Sequence, residues 1–333
     1  MKEIKFIDLF AGIGGFHQAA KTSGGKCVFA SEIDLEASKA YKANYGIKPH
    51  GDITRVDINE IPEHDLLCAG FPCQPFSIIG NKNGFDDIRG TLFFEIAKIL
   101  KQKKPPMIVL ENVKQLATHD NKRTLTKIIE TLNDLGYKTD WKILNALDYG
   151  LPQKRERILI IGFLNHDTEF SWPKKKPKYK PLSEILEHDV DDKHYASDRI
   201  YNKRQAKHTS DHSPGIWHEN KSGNVSSYPY SCALRAGASY NYLLVNGERR
   251  LTPREMLRLQ GFPNRFKIVC SDSQTRKQAG NAVPVPMIKA VIKEVVDAYT
   301  EAERQKKQKE YRVIPHRGLS SESNLRDQSL AYI

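Results

Sequence analysis

Short apolar runs alternate with helix-spaced segments through the first half of the chain. Ile4–Phe10, Cys27–Ser31, Asp65–Ala69, Met107–Leu110, Trp141–Leu144 and Ile158–Phe163 are brief and rich in branched or aromatic residues, which predicts strands. Another short strand is expected at Gly51–Ile53. Between these runs Leu92, Ile96, Ile99 and Leu100 recur at helical spacing, and so do Leu125, Ile128, Ile129, Leu132 and Leu135. Strands alternating with helices imply a mostly parallel sheet covered on both faces. The connection "NALDYGLPQKRER" between the last two runs carries no helical pattern, so those strands should pair antiparallel.

The pattern changes near residue 166. Residues 183 to 250 are polar, rich in Ser, Asn, Tyr and His, and weakly periodic, as expected of a loop-rich second domain. Met287, Val291, Ile292, Val295, Val296 and Tyr299 then mark one more amphipathic helix, with Pro286 in its first turn. The expected division is 1–166 as a main domain completed by 275–300, a small domain over 167–274, and a charged tail over 301–333. That tail has few apolar residues and should fray from Glu303 onward.

Charge adds a partner class. Lys and Arg number 52 against 40 Asp and Glu, a net charge of +12 that suits a polyanion, above all nucleic acid. Five cysteines without a CxxC pair argue against a disulfide framework or zinc ribbon and fit a reducing cytoplasm. His208 and His212 lie four apart, but no third ligand is near, so solvated histidines and no metal are expected. "WPKKKPKYKP" reads as a linker or surface arm. No apolar run approaches the roughly 20 residues of a membrane span, and "MKEIKFIDLF" does not read as a signal peptide.

Candidate chemistry gathers at predicted strand ends, where open α/β sheets bind ligands. The first strand enters "DLFAGIGGF", whose Gly12, Gly14 and Gly15 permit a tight turn and close backbone approach. The spacing is not G-x-G-x-x-G and no Walker lysine follows, so neither a dinucleotide nor a phosphate cradle is indicated. Glu32 ends the second strand, where a carboxylate can accept from both ribose hydroxyls. Asp52 could end a third strand and face an adenine amino group. Gly70 and Pro72 stop the next strand, so Cys73 in "GFPCQPFS" sits where the chain leaves the sheet. Glu111 closes the strand Met107–Leu110, and a carboxylate there needs a partner. Arg155 and Arg157 stand two apart at a strand start, which places both on one face, one to orient a carboxylate and the other for a phosphate, base carbonyl or leaving oxygen, or else as an edge-strand charge pair.

In order, "DLFAGIGGF", "GFPCQPFS", "ENV", "QKRERI", "RLTPREMLRLQGFP" and "GNAVPVP" resemble the DNA cytosine-5 methyltransferases of bacterial restriction–modification systems, over residues 4 to 165 and 248 to 297. The resemblance implies an α/β class I S-adenosylmethionine-dependent methyltransferase fold. Its sheet is mostly parallel and seven-stranded with one antiparallel strand, helices cover both faces, and a small loop-rich target-recognition domain is attached. It implies Cys73 as the nucleophile on carbon 6 of a flipped-out cytosine, Glu111 at the N3 and amine edge, Arg157 steadying the base and Arg155 the phosphate or loop nearby. The implied S-adenosylmethionine pocket takes Phe10, Ala11, Gly12, Gly14, Gly15, Glu32, Ile33, Asp52, Ile53, Pro72, Leu92 and Asn281. Ile33 stands where relatives often carry an aromatic, which shifts adenine contacts toward Phe10. Gln74, Ser77, Lys82, Arg89, Arg235, Tyr240 and Arg250 are implied to touch double-stranded DNA. "SIIGNKNGFDDIRG" resembles the loop that closes over it. Ala233 replaces a common threonine among the expected DNA contacts. A cytoplasmic, nucleoid-associated monomer is expected, with S-adenosylhomocysteine as product and a cognate endonuclease acting separately. A tRNA cytosine-5 methyltransferase would share every motif quoted, but its Cys-Phe-Thr tripeptide is absent. A nicotinamide dehydrogenase is disfavoured by the glycine spacing, and a non-catalytic DNA-binding protein by the full catalytic set.

Overall fold

Alternate side chains of the central strands feed two separate cores. In β1 (Lys5–Leu9) Phe6 joins one core and Ile7 the other; in β3 (Leu66–Gly70) Leu66 and Leu67 divide the same way. A computed structural model describes residues 3–72, 92–165 and 167–313, with backbone only over 310–313. The sheet has six strands in the order β2-β1-β3-β4-β7-β5, where β2 is Lys26–Ser31, β4 Met107–Val113, β5 Lys138–Asn145 and β7 Glu156–Phe163. The neighbours β2, β1, β3 and β4 pair in parallel, and β7 runs antiparallel to both β4 and β5. The expected antiparallel pairing of the last two runs is therefore present.

Helix α1 (Gly15–Lys21) and the long α8 (Val285–Val313) cover one face, contributing Phe16, Ala19, Ile288, Val291 and Ile292 to its core. Helices α3 (Leu92–Lys103) and α4 (Arg123–Asp134) cover the other with Phe93, Ile96, Leu100, Ile128 and Leu132. Each Phe, Leu, Ile or Val side chain among these withdrawn from water stabilises the fold by about 1.5–3 kcal/mol before entropy is counted.

Two expectations need correcting. Gly51–Ile53 forms no strand; only His50 makes a single parallel bridge to Ser31, so among the described residues the sheet has six strands rather than seven. Asp52 instead caps a 3-10 turn, its carboxylate accepting from Thr54 N at 3.0 Å and Thr54 Oγ1 at 2.8 Å, and this local bonding competes with a ladder. Nor does the chain fray at Glu303. Helix α8 continues to Val313, because Ala, Glu, Gln and Lys there are strong helix formers that need no apolar partner. Residues 314–333 lie outside the described residues.

The smaller core packs Leu182, Ile185, Ile216, Leu234, Leu243 and Leu259 around a three-stranded antiparallel sheet, β11-β8-β9 (Leu243–Val245, Ile216–Glu219, Val225–Tyr228). Two short strands, β6 (Gln153–Lys154) and β10 (Ser231–Cys232), pair in parallel and join this unit to the main sheet. Helix α6 (Pro253–Leu259) starts with a capping box between Thr252 and Glu255 and gives Leu257 to the main core and Leu259 to the smaller one.

Candidate active site

A cleft of about 450 Å³ opens at the C-terminal ends of β1 to β4, a size suited to a nucleoside-like ligand. Chain geometry makes it. After β1 the backbone turns through Phe10 at φ 55, a left-handed conformation costly for a residue with a Cβ and held only by its surroundings. Ala11 N donates to Ser31 O at 3.0 Å, which ties the turn to β2. Gly12 follows at φ 54, and a Cβ there would meet nothing within 4 Å, because it faces the open cleft. Gly14, at φ 82, caps α1; a Cβ on it would lie 2.2 Å from the Tyr45 ring.

A buried polar chain braces this turn from behind. Asp8 is wholly buried, and its Oδ2 accepts from His17 N at 3.2 Å. His17 Nδ1 lies 2.7 Å from Tyr41 Oη, its ring stacks on Tyr45 at 3.9 Å, and Tyr45 Oη donates to Gly14 O at 2.9 Å. Burial pushes the Asp8 carboxyl well up and the His17 imidazole down to about 4, so both tend to neutrality.

Glu32 stands over the turn. Its Oε2 accepts from Gly12 N and its Oε1 from Asp34 N, both at 2.7 Å, which fixes the carboxylate while each oxygen keeps a further lone pair. Burial raises its pKa, and those two N–H groups oppose the rise. Across the cleft, Lys277 on α7 (Asp272–Asn281) bonds Asp34 at 2.7 Å and holds its carboxyl below the usual range.

The far wall is built by register. Gly70 of β3 pairs with Glu111 of β4, and Asn112 Nδ2 donates to Phe71 O at 2.9 Å, fastening the chain just before Pro72. Glu111 Oε1 meets Arg157 Nε at 2.9 Å. Its Oε2 lies 3.5 Å from the place a Gly70 Cβ would occupy, so the second oxygen faces the exit of β3. Burial raises the Glu111 carboxyl despite Arg157 and Arg155 nearby. Arg155 is only 1% exposed, and its guanidinium donates to Leu234 O, Gly280 O and Ala282 O at 2.8, 2.9 and 2.9 Å. Burial pushes it down to about 9, still charged near neutrality. With both terminal nitrogens bonded to carbonyls and its Nε buried, Arg155 holds loops and turns no fork toward a phosphate.

The cleft therefore gathers Phe10, Ala11, Gly12, Gly15, Glu32, Ile33, Asp52, Ile53, Pro72, Leu92, Glu111, Arg155, Arg157 and Asn281. Gly14 shapes the turn without lining the cleft. Ile33 is 69% exposed at its rim, a large apolar surface open to a stacking ring. Asp52 lines the cleft from its 3-10 turn, with hydrogen bonds from Thr54 lowering its pKa. Cys73, Gln74, Ser77, Lys82 and Arg89 lie outside the described residues.

Arg235, Tyr240 and Arg250 line a different cavity, in the small domain. Tyr240 is 46% exposed with Arg276 at 4.2 Å over its ring, and Arg235 lies 4.8 Å over Tyr242. Arg250 spends its guanidinium on the carbonyls of Lys193, His194 and Tyr195, so it braces that segment.

The sequence reading missed Asn112, Lys277 and Gln153. Asn112 sat inside the quoted "ENV", where a polar residue ending an apolar strand signals a buried partner. Gln153 likewise sat inside the quoted "QKRERI", whereas Lys277 gave no local signal, since its partner Asp34 lies 243 residues away along the chain.

The family model described as "C-5 cytosine-specific DNA methylase" matches residues 4–297. The chain is 55% identical over 308 residues to the Type II methyltransferase M.HaeII of Haemophilus aegyptius, covering 92% of this chain and 96% of that one. It is 56% identical over 292 residues to the Type II methyltransferase M.NgoBI of Neisseria gonorrhoeae, covering 87% and 92%. A solved structure of a Spodoptera frugiperda DNMT2 mutant superposes with a TM-score of 0.70 at 22% identity, covering 88% of this chain and 100% of that one, a likeness of fold.

Proposed function

Since the chain belongs to the C-5 cytosine-specific DNA methylases, enzymes that methylate cytosine in DNA, we propose that it uses S-adenosylmethionine and a covalent bond from Cys73 to a flipped-out cytosine in a specific duplex sequence. The observation that carries this reading is the placing of Glu111. It is buried, braced by Arg157, and in register with Gly70, three residues ahead of Cys73 in the chain.

The cleft suits the methyl donor. Glu32 offers spare lone pairs to ribose hydroxyls, Gly12 leaves open space, Ile33 and Phe10 offer apolar surface to a base, and Asn281 adds a polar group at the wall. When bound there, S-adenosylmethionine supplies an electrophilic methyl group. The protein's part is to make carbon 5 of cytosine nucleophilic. The Cys73 thiolate adds to carbon 6, and Glu111, whose burial favours its protonated form, gives a proton to N3. Arg157 holds Glu111 Oε1 and leaves Oε2 for the base edge. Once carbon 5 is methylated, water takes its proton, the carbon–sulfur bond breaks to release the Cys73 thiolate, and N3 returns its proton to Glu111, so both residues are restored. A ring inside the duplex stack is out of reach, so the base must flip out.

The Type II relatives support a protective role, in which this enzyme modifies the sequence that a separate endonuclease cuts. Among the described residues no helix is long and apolar enough to cross a membrane. We place its work in the bacterial cytoplasm, as a monomer on duplex DNA.

Duplex carrying 5-fluorocytosine at the target tests the chemistry, because fluorine cannot leave carbon 5 as a cation. With S-adenosylmethionine the enzyme should form a denaturation-stable adduct that maps to Cys73, and Cys73→Ala should form none. An adduct on Cys27, Cys68, Cys232 or Cys270 would refute the mechanism.

A further inference from the structure

Leu234 is gripped at both ends of its backbone. Gln153 Oε1 accepts from Leu234 N at 3.0 Å, and Arg155 Nη1 donates to Leu234 O at 2.8 Å. Just upstream, Ser231–Cys232 pairs in parallel with Gln153–Lys154. On its other side the same segment rests on Gly280, where a Cβ would come within 2.4 Å of Ala236 N. Residues 231–236 therefore lie between Gln153–Arg155 on one side and Gly280, near the end of α7, on the other. Gln153 is 0% exposed, so it touches neither cofactor nor DNA.

The two clamp residues differ in reach. The Gln153 side chain bonds Leu234 N, Leu259 O and Gln260 Oε1, and reaches the end of α7 at second hand, through Gln260 Nε2 donating to Ala279 O at 2.6 Å. Arg155 bonds Leu234 O and also Gly280 O and Ala282 O, the carbonyls flanking Asn281. One buried guanidinium thus joins the segment leading into Arg235 to the cleft wall.

We propose that Gln153 and Arg155 form a register clamp that fixes residues 231–236 against the Glu111–Arg157 end of the cleft, so that discrimination between target sequences depends on buried residues that never contact DNA. The inference rests on the methyl-transfer reading above. Base-edge hydrogen bonds discriminate only while their donors are held in place, and a shift of about 1 Å is costly to an aligned reaction. Leu234 N–H cannot stay buried and unpaired, so loss of Gln153 Oε1 forces the segment to move.

The full-length enzyme is first mapped by bisulfite sequencing of a methylated plasmid. Then kcat/KM is measured on the cognate duplex and on duplexes with one substituted base pair. Gln153→Met should lower the cognate-to-substituted ratio on the order of tenfold and leave the calorimetric affinity for S-adenosylmethionine unchanged. Arg155→Lys should lower both the ratio and that affinity. A merely structural role would slow every duplex alike and leave the ratio intact. Amide exchange at Leu234 reports the clamp itself: faster exchange in Gln153→Met with an unchanged ratio would overturn the proposal. Should that variant fail to fold, Gly280→Ala presses the same segment from the opposite side, and an unchanged ratio there would count equally against the clamp. A wild-type enzyme that leaves duplex cytosine unmethylated would sink the underlying reading, and the clamp with it.

Discussion

Glu111 and Arg157 meet at 2.9 Å with side chains only 10% and 14% exposed, and the arginine does not fully offset the cost of burying the carboxylate. The Glu111 carboxyl consequently binds its proton more readily in the folded chain than in the unfolded one. That proton favours folding at low pH, and the advantage is lost as pH rises from about 4.3 through the folded value. Glu111→Gln should slow methyl transfer by roughly 10²- to 10⁴-fold. The variant should nevertheless melt no lower than the parent at pH 7, with the difference shrinking toward about pH 4. Thermal unfolding at the two pH values checks this; a variant less stable at neutral pH than at acid pH, relative to the parent, would show that the ion pair outweighs burial.

Glu32 is held by two backbone N–H groups and so enters binding already oriented. A charge-assisted hydrogen bond contributes about 1.5–3 kcal/mol, so Glu32→Ala should weaken S-adenosylmethionine by roughly tenfold or more. Calorimetry measures this directly, and unchanged affinity removes Glu32 from the site.

Gly12 and Gly14 should fail in different ways when changed to alanine. Both carry positive φ, which costs a residue with a Cβ about 1–2 kcal/mol. Only Gly14 adds an overlap, with Tyr45 at 2.2 Å. Gly14→Ala should therefore lower Tm by roughly 5 °C or more, while Gly12→Ala should melt closer to the parent and lose cofactor affinity, its methyl entering the cleft. Equal Tm losses would contradict the geometry.

Residues 168 to 250 are proposed to choose the target. Exchanging this segment for that of a relative should move the methylated sequence with it, since base contacts carry specificity and phosphate contacts only position. Bisulfite mapping of the chimera decides, and retention of the original sequence would overturn the assignment.

Much of the fold was legible because buried strands and helices write their periods into the sequence. Phe6 and Ile7, or Leu66 and Leu67, needed only to be apolar to show a sheet covered on both sides. Gly51–Ile53 misled because Asp52 satisfies its own turn, which apolar patterning does not report. Arg155 and Arg157 were placed on one strand face by alternation. Arg155 instead falls between β6 and β7, outside either ladder, and turns to carbonyls at Leu234, Gly280 and Ala282. Those partners stand 79, 125 and 127 residues away, beyond what any local pattern encodes.

The cleft wall at Gln278–Val283 and the helix over Phe16 both come from the far end of the chain. A ribosome delivers the N-terminal strands first, at roughly 5–20 residues per second, so the nascent sheet waits several seconds with one face bare. During that wait the molecule has its glycine turn and Glu111 but no enclosed cleft. Translation order therefore leaves a polypeptide stalled or cut before residue 277 without the Gln278–Val283 wall of the cleft and without the helix that covers Phe16.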